Sequence, residues 1–503
     1  VGRRDKPETA ITASDLVGCR FRRTQRLTHP EIAPLPAELE RYERKLDARQ
    51  EFLTLLPTRR GLGDGRSVPF VRIDVDGTAG IPELTTLEGL AQSADLITGA
   101  VFEQDGWRVR VDALVKVESG GYAPIIVSNH RVARPSRSST TPVVATNRLG
   151  LSRPLAAPFK RRNHSTDGYR LAMAARALSG VGLDSGLGGQ VGQDRGRVFI
   201  QPTAPLQPGL ERALAAGFAI QPRRLKECAT CRFWPLCEAE LLATDDISLV
   251  VPGDRARSFR ERGITTVESL IDASEGEPSL LAQAWRDGIP LLKREPSVSF
   301  GMADVEIDVD MEAYLDKGAY LWGAFDGERY HGFATWQPLD SVAEAENFAR
   351  FYGWLMQRRD AAHAQGLSFA AYCYSAHGEN HWLVESARRF HGKVPGVPSE
   401  AEVQAFIASE EWVDVFAAVR RQLYGPGGVG LKVVAAQAGY QWADEDVAGE
   451  ESVSLRRIAV GRGADAEQAR QRLLRYNEDD TRATAQVRHF LRAGAPGIKQ
   501  EPR

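Results

Sequence analysis

Cysteine is scarce, with five in 503 residues, too few to frame a disulfide scaffold in a chain of this length. Long apolar runs are missing as well: none approaches the roughly 18 apolar residues that a membrane helix needs. The opening residues Val1-Gly2-Arg3-Arg4-Asp5 lack the apolar core of a secretory signal. These absences lead to the expectation of a cytoplasmic protein with no membrane partner. Net charge is nearly absent too, at -2, but the balance conceals an asymmetry. Residues 1–240 carry 35 Lys+Arg against 26 Asp+Glu, and residues 241–503 carry 29 against 40. A basic half suits a polyanion, and an acidic half suits cation-dependent chemistry.

What is present is globular composition, 43% hydrophobic and 26% charged, in a chain long enough for about two or three domains. The few cysteines are also placed informatively. Cys228, Cys231 and Cys237 fall as C-x2-C-x5-C, one ligand short of a tetrahedral site. Cys19 is the natural fourth, in a stretch where Ser14 is read as the cap of a helix running on through Arg20 to Arg23. Four thiolates so spaced fit a zinc site or an iron–sulfur cluster. The fifth, Cys373, lies in the apolar run 369–374 and reads as a buried strand thiol.

A lone N-terminal Cys plus a distant C-x2-C-x5-C resembles the 4Fe-4S staple of RecB-like nucleases, shared by the B subunit of AddAB helicase-nuclease and by the nucleases of CRISPR adaptation. The resemblance covers roughly residues 10–240. It implies a mixed sheet with a PD-(D/E)xK site, an Asp on one strand and Asp/Glu-x-Lys on the next. Asp112 matches the first acid. Val127-Ser128-Asn129 stand where Asp/Glu-x-Lys belongs, and the family's Gln-x3-Tyr is half present, as Tyr169 preceded by Ser165. The expectation is a degenerate site on a fold that still grips DNA, with 20–26, 160–162 and 223–226 as basic stretches able to meet phosphates. Glu103 and Glu118 are the alternative partners of Asp112 if that site is active.

Residues 241–297 read as a helical linker. Pro252-Gly253, a basic helix over 255–262, Gly263-Ile264 and a capped second helix resemble a helix-hairpin-helix unit, and 275–295 reads as a further helix.

The densest chemistry lies downstream. In the segment 304–312, strict alternation puts Asp304, Glu306, Asp308, Asp310 and Glu312 on one face of a strand, where five carboxylates repel one another unless cations or water screen them. Asp310 and Glu312 form a D-x-E pair suited to holding a metal. Far along the chain, Tyr476 and Asp480 stand one helical turn apart, which places a phenol beside a carboxylate. Glu379 lies between them in sequence, in a strand-then-loop segment with His377 and Asn380 as neighbours.

In this order, D-x-E, a middle acidic residue and a late Y-x3-D resemble the DEDD exonucleases of the tyrosine subtype, in particular the YprB-like ribonuclease H-like domain, over about residues 298–493. The whole chain resembles a group of bacterial RecB-like nucleases carrying such a domain. The implied architecture is α/β and multidomain: 1–240 RecB-like with a four-cysteine staple, 241–297 linker, and 298–493 ribonuclease H-like. The implied activity is 3'-to-5' exonuclease action on single-stranded DNA in DNA repair. Asp310, Glu312, Glu379 and Asp480 would hold two Mg2+ or Mn2+ ions about 4 Å apart, and Tyr476 would orient the attacking water. Asp414 and Lys432 are accessory candidates, and a helicase is a candidate partner. RNA as substrate, an active N-terminal site or a non-catalytic DNA-binding scaffold are the rival readings.

Overall fold

The structure is a computed structural model that describes residues 9–61, 66–76, 80–444 and 449–500. The Val1–Asp5 opening lies outside the described residues. Two compact units divide the chain, residues 1–255 and 256–503. Among the described residues, no helix is long and apolar enough to cross a membrane.

The first unit is built on an eight-stranded mixed sheet. Its strands are β1 (Arg72–Asp74), β2 (Leu96–Thr98), β3 (Ala113–Lys116), β4 (Tyr122–Val127), β5 (Thr141–Ala145), β6 (Leu155–Ala157), β7 (Leu187–Val191) and β8 (Arg197–Pro202), in the spatial order β6-β5-β8-β7-β4-β3-β2-β1. The central strands β3 and β4 are apolar on both faces because both faces are covered. Leu114 and Ile126 point into one core with Leu171, Met173 and Leu178 of helix α3 (Ser165–Gly180). Val115 and Ile125 point into another with Phe52 of helix α2 (Pro36–Leu55).

The N-terminal segment corrects one expectation. No helix runs from Ser14 to Arg23. Thr12, not Ser14, caps a short 3-10 turn over Ala13–Leu16, its amide and hydroxyl both donating to the Asp15 carboxylate, at 2.9 Å and 2.8 Å. Gly18 then takes φ +70°, a left-handed conformation that ends a helix and favours glycine. Helix α1 restarts only at Phe21–Thr28, so Cys19 sits in the link between the two. The Arg20–Arg26 stretch is largely occupied internally: Arg20 donates to the Ala213 carbonyl, Arg23 to that of Thr9, and Arg26 pairs with Asp15 at 3.1 Å.

The second unit opens with short helices at Arg257–Glu261, Val267–Asp272 and Glu277–Arg286. Thr266 caps the second through a reciprocal pair with Ser269, as expected. The helix read over 275–295 is shorter, because Gly288 at φ +66° and Pro290 end it. A five-stranded sheet follows: β9 (Val305–Tyr314), β10 (Gly318–Phe325), β11 (Tyr330–Ala334), β12 (Phe369–Cys373) and β13 (Trp412–Asp414), ordered β11-β10-β9-β12-β13. The first three are joined antiparallel, and β12 and β13 run parallel to β9. Ile307 and Val309 of β9 enter a core with Trp322, Phe348 and Phe351, the last two from helix α4 (Val342–Ala364). Cys373 is fully buried in that core, as its apolar neighbours led one to expect. The opposite, carboxylate-bearing face of β9 meets helix α7 (Ala464–Arg492).

Candidate functional site

The alternation in β9 delivers its carboxylates to α7 in register. Glu306 pairs with Arg492 and, at 2.7 Å, with Arg488. Tyr372 also donates its hydroxyl to Glu306 at 2.8 Å. Asp308 is gripped by Arg488 through two bonds, 2.8 Å from Nε and 2.6 Å from Nη2. Asp304 is tied to Ser368 at 2.9 Å. Burial opposes the charge on Glu306, but Arg492 and Arg488 overrule it and hold that carboxyl down to about 2. Burial pushes Asp308 up to about 6 while Arg488 pulls against it; the bidentate fork is the geometry of an ionised pair.

One strand repeat further on, the arginines stop. Opposite Asp310 and Glu312 the helix presents Tyr476, Asn477 and Asp480. Asn477 donates to Asp310 at 2.7 Å and accepts from the Tyr330 hydroxyl at 2.6 Å. Gly323, paired with Asp310 across β9 and β10, lets Asn477 come this close, since a Cβ there would collide with the amide oxygen. The oxygens of Asp310, Glu312 and Asp480 lie within 4.8 Å of one another. Asp480 accepts a hydrogen bond from Trp442 Nε1 at 2.8 Å and one from the Tyr476 hydroxyl. The Lys432 ammonium lies 5.7 Å from the ring centres of both Trp442 and Tyr476.

The electrostatic state of this group differs from its neighbours on the same strand. Burial first, and then Asp480, Glu312 and Glu379, push the Asp310 carboxyl well above its ordinary range. Burial and Asp480 raise Glu312 to about 8, burial and Asp414 raise Glu379 to about 8, and burial raises Asp480 to about 6. Carboxyls crowded and desolvated in this way either hold protons or share a cation.

Glu379 corrects the sequence reading in one respect. It stands in the first turn of helix α5 (His377–Phe390), not in a loop, and is 6% exposed. It is felt electrostatically by Asp310 and Cys373 without joining the 4.8 Å group. Asn380 turns away to accept from Trp412 Nε1 at 2.7 Å, a structural bond. Asp414 caps helix α6 (Val415–Gln422) through the Ala417 amide and also accepts from the Ser375 amide at 3.1 Å, so it holds the segment that leads into Glu379. Asn477, Trp442 and Gly323 escaped the sequence reading. Only the adjacency of Asn477 to Tyr476 pointed to any of them.

Residues 309–492 match a family model of the RNase_H superfamily. The chain thus carries a ribonuclease H-like domain, a nuclease-type fold, and the matched span runs from just before Asp310 to beyond Asp480. No curated protein matches the chain. Ribonuclease H-like nucleases use divalent metals, and the Asp310, Glu312 and Asp480 group fits that use.

In the first unit, Cys19, Cys228, Cys231 and Cys237 line one cavity. Burial raises three of these thiols, Cys237 to about 11. The Cys19 amide donates to Glu227 at 2.6 Å, fastening the two cysteine segments together. Asp112 precedes β3 and accepts from the Val127 amide at 2.8 Å, so the hairpin geometry of an acid opposite 127–129 is present. The acid itself is committed to Arg170 at 3.2 Å and Arg49 at 3.5 Å. Glu118 pairs with Arg153 at 2.6 Å and Glu103 with Arg108 at 3.8 Å.

Proposed function

We propose that the protein is a metal-dependent exonuclease that removes nucleotides from the 3' end of single-stranded DNA, with its chemistry in the ribonuclease H-like domain at Asp310, Glu312, Glu379 and Asp480. The observation that carries this reading is the division along β9. Arginines neutralise Glu306 and Asp308, whereas Asp310 and Glu312 face Asp480 with no arginine between them among the described residues, and their oxygens stand at ligand spacing. Two divalent cations held there would supply an activated water and stabilise the departing oxygen. Trp442 and Tyr476 orient Asp480 by donating to it, Asn477 fixes Asp310, and the Tyr476 oxygen, its proton given to Asp480, would accept a hydrogen bond from the nucleophilic water. Lys432 supplies positive charge for a phosphate. Cleavage at 3' ends and a role in repair are taken from the DEDD resemblance.

The first unit is read as a RecB-like domain, over about 1–240, that binds nucleic acid without cutting it, followed by a linker at 241–297. Asp112 is spent on two arginines, which supports a degenerate site. We assign a 4Fe-4S cluster to the four cysteines. The four thiols line one cavity, and the choice of cluster over zinc rests on the RecB-like resemblance. Cytoplasmic placement follows from the same reading, since free thiols persist in a reducing compartment.

The test is digestion of 3'-labelled and 5'-labelled single-stranded DNA and RNA with Mn2+, comparing the native chain with Asp310→Ala and Asp112→Ala. Mononucleotides leaving the 3' end of DNA, lost only in Asp310→Ala, are expected. Loss only in Asp112→Ala would move the chemistry to the first unit. Equal digestion of RNA would change the substrate.

A further inference from the structure

The first unit holds a second cluster of metal-ligating side chains that neither the cysteines nor the carboxylates of β9 account for. Asp167 lies in the first turn of α3 and is 5% exposed. His164 is the residue that caps that helix, and His130 follows β4 on a neighbouring turn. His130 Nε2 is 3.4 Å from Asp167 Oδ2, and His164 Nδ1 is 3.6 Å from the same oxygen. The two imidazoles lie with centres 4.0 Å apart and planes tilted by 32°, and one ligand atom from each of the three residues falls within 4.8 Å of the others.

Those distances are longer than an ordinary N–H···O bond, at about 2.9–3.0 Å. They are close to the separation of about 3.4 Å between neighbouring ligand atoms around a tetrahedral ion with bonds of about 2.1 Å. We propose that His130, His164 and Asp167 form a binding site for a divalent first-row transition metal, with Zn2+ the first choice. Two imidazoles and one carboxylate select such ions over Mg2+, which prefers oxygen ligands alone.

The surroundings suit the role. The Ser128 hydroxyl and, at 3.4 Å, the Gln190 amide both donate to Asp167 Oδ2, the oxygen that both imidazoles approach; they fix the carboxylate, and a bound ion would share Oδ2 with them or take Oδ1. Three protein ligands leave coordination positions open. His164 also borders a cavity of about 240 Å³ whose wall includes Arg161, Gln190, Gln201 and Arg212, so an anion such as phosphate can sit next to the ion.

The experiment is calorimetric titration of the full chain with Zn2+ in saturating Mg2+, which occupies oxygen-only sites. The native chain is compared with His130→Ala/His164→Ala, Ser128→Ala and Asp310→Asn. The double variant is expected to bind one Zn2+ fewer than the native chain and Asp310→Asn the same number. Ser128→Ala should bind Zn2+ about 10- to 100-fold more weakly at this site. Circular dichroism checks that each variant is folded, and His164→Gln replaces the double variant if it is not. An unchanged Zn2+ count in a folded variant lacking either histidine would overturn the proposal and leave a metal-free histidine pair.

Discussion

The two ends of strand β9 carry the same side chains on the same face and meet the same helix, yet they do opposite things. At one end, Glu306 and Asp308 are matched by Arg492 and Arg488, and the carboxylates become part of the frame. At the other, Asp310 and Glu312 meet Asp480, and the repulsion left over is a demand for cations. The difference lies in the partner helix, not in the strand. A buried acid therefore acquires its role from what the opposing element withholds.

The comparison is broken most severely by removing the demand itself. Asp310→Asn combined with Glu312→Gln should lower nuclease activity by more than about 100-fold, measured as nucleotide release, while the fold persists, because two ligands lose their charge. The opposite end should respond in stability rather than activity. Arg488→Met strands the buried Asp308 carboxylate, while Glu306 keeps Arg492, and should cost about 3–5 kcal/mol in chemical denaturation; a loss below about 1 kcal/mol would show that the pair contributes little. Trp442→Phe removes the donor that aims Asp480 and should raise the Mn2+ concentration needed for half-maximal activity about 10- to 100-fold, with the maximal rate less affected.

A smaller effect sharpens the contrast through pH. Burial raises the carboxyls of Glu312 and Glu379 to about 8 and Asp480 to about 6. The folded chain without metal therefore binds protons more tightly than the unfolded chain does. Their contribution to stability is complete below the ordinary carboxyl range and is lost as pH rises through about 6 to 8. Metal-free protein should melt lower at pH 8 than at pH 5 on this account, and the Asp310→Asn/Glu312→Gln variant should lose less. Each kcal/mol of relieved repulsion corresponds to roughly 2–4 °C. Added Mg2+ should restore more at pH 8 than at pH 5. Smallest of all, Asp112→Asn should change cleavage by less than about twofold, since its carboxylate is engaged by Arg170 and Arg49 and the proposed chemistry lies in the other unit.

The site was legible where its signal was local. Period-two alternation announced the acid face of β9, and one helical turn announced the Tyr476–Asp480 pair; both follow from backbone geometry alone. What the partners would do was not legible, because Arg488 reaches Asp308 across 180 residues and no local spacing encodes that pairing. For the same reason five acids looked alike, although arginines hold Glu306 and Asp308, Ser368 holds Asp304, and Asp310 and Glu312 face another acid. Ser14 misled because a hydroxyl next to an acidic residue is a common cap pattern, and the left-handed Gly18 that overrode it is a matter of the link to Glu227. Glu379 was placed on a loop because the residues 374–380 are polar and small, whereas Phe390, Leu383 and Trp382 draw the segment into a helix over the core. In the first unit the strands 113–116 and 122–127 could be read from their apolar runs, but the commitment of Asp112 to Arg49 and Arg170 could not.

Helix α7 also works as a ruler laid against β9. Residues 476 to 492 advance about 24 Å at 1.5 Å per residue, and residues 306 to 312 advance about 20 Å at roughly 3.3 Å per residue. The two scales thus agree closely enough to bring arginine to one end and Asp480 to the other. One residue inserted between Thr481 and Val487 would shift the scale by only about 1.5 Å, but it would also turn everything beyond it by about 100°. The arginines would then face away from Glu306 and Asp308 while Asp480 kept its place. The length of this stretch is accordingly as much a part of the site as its side chains.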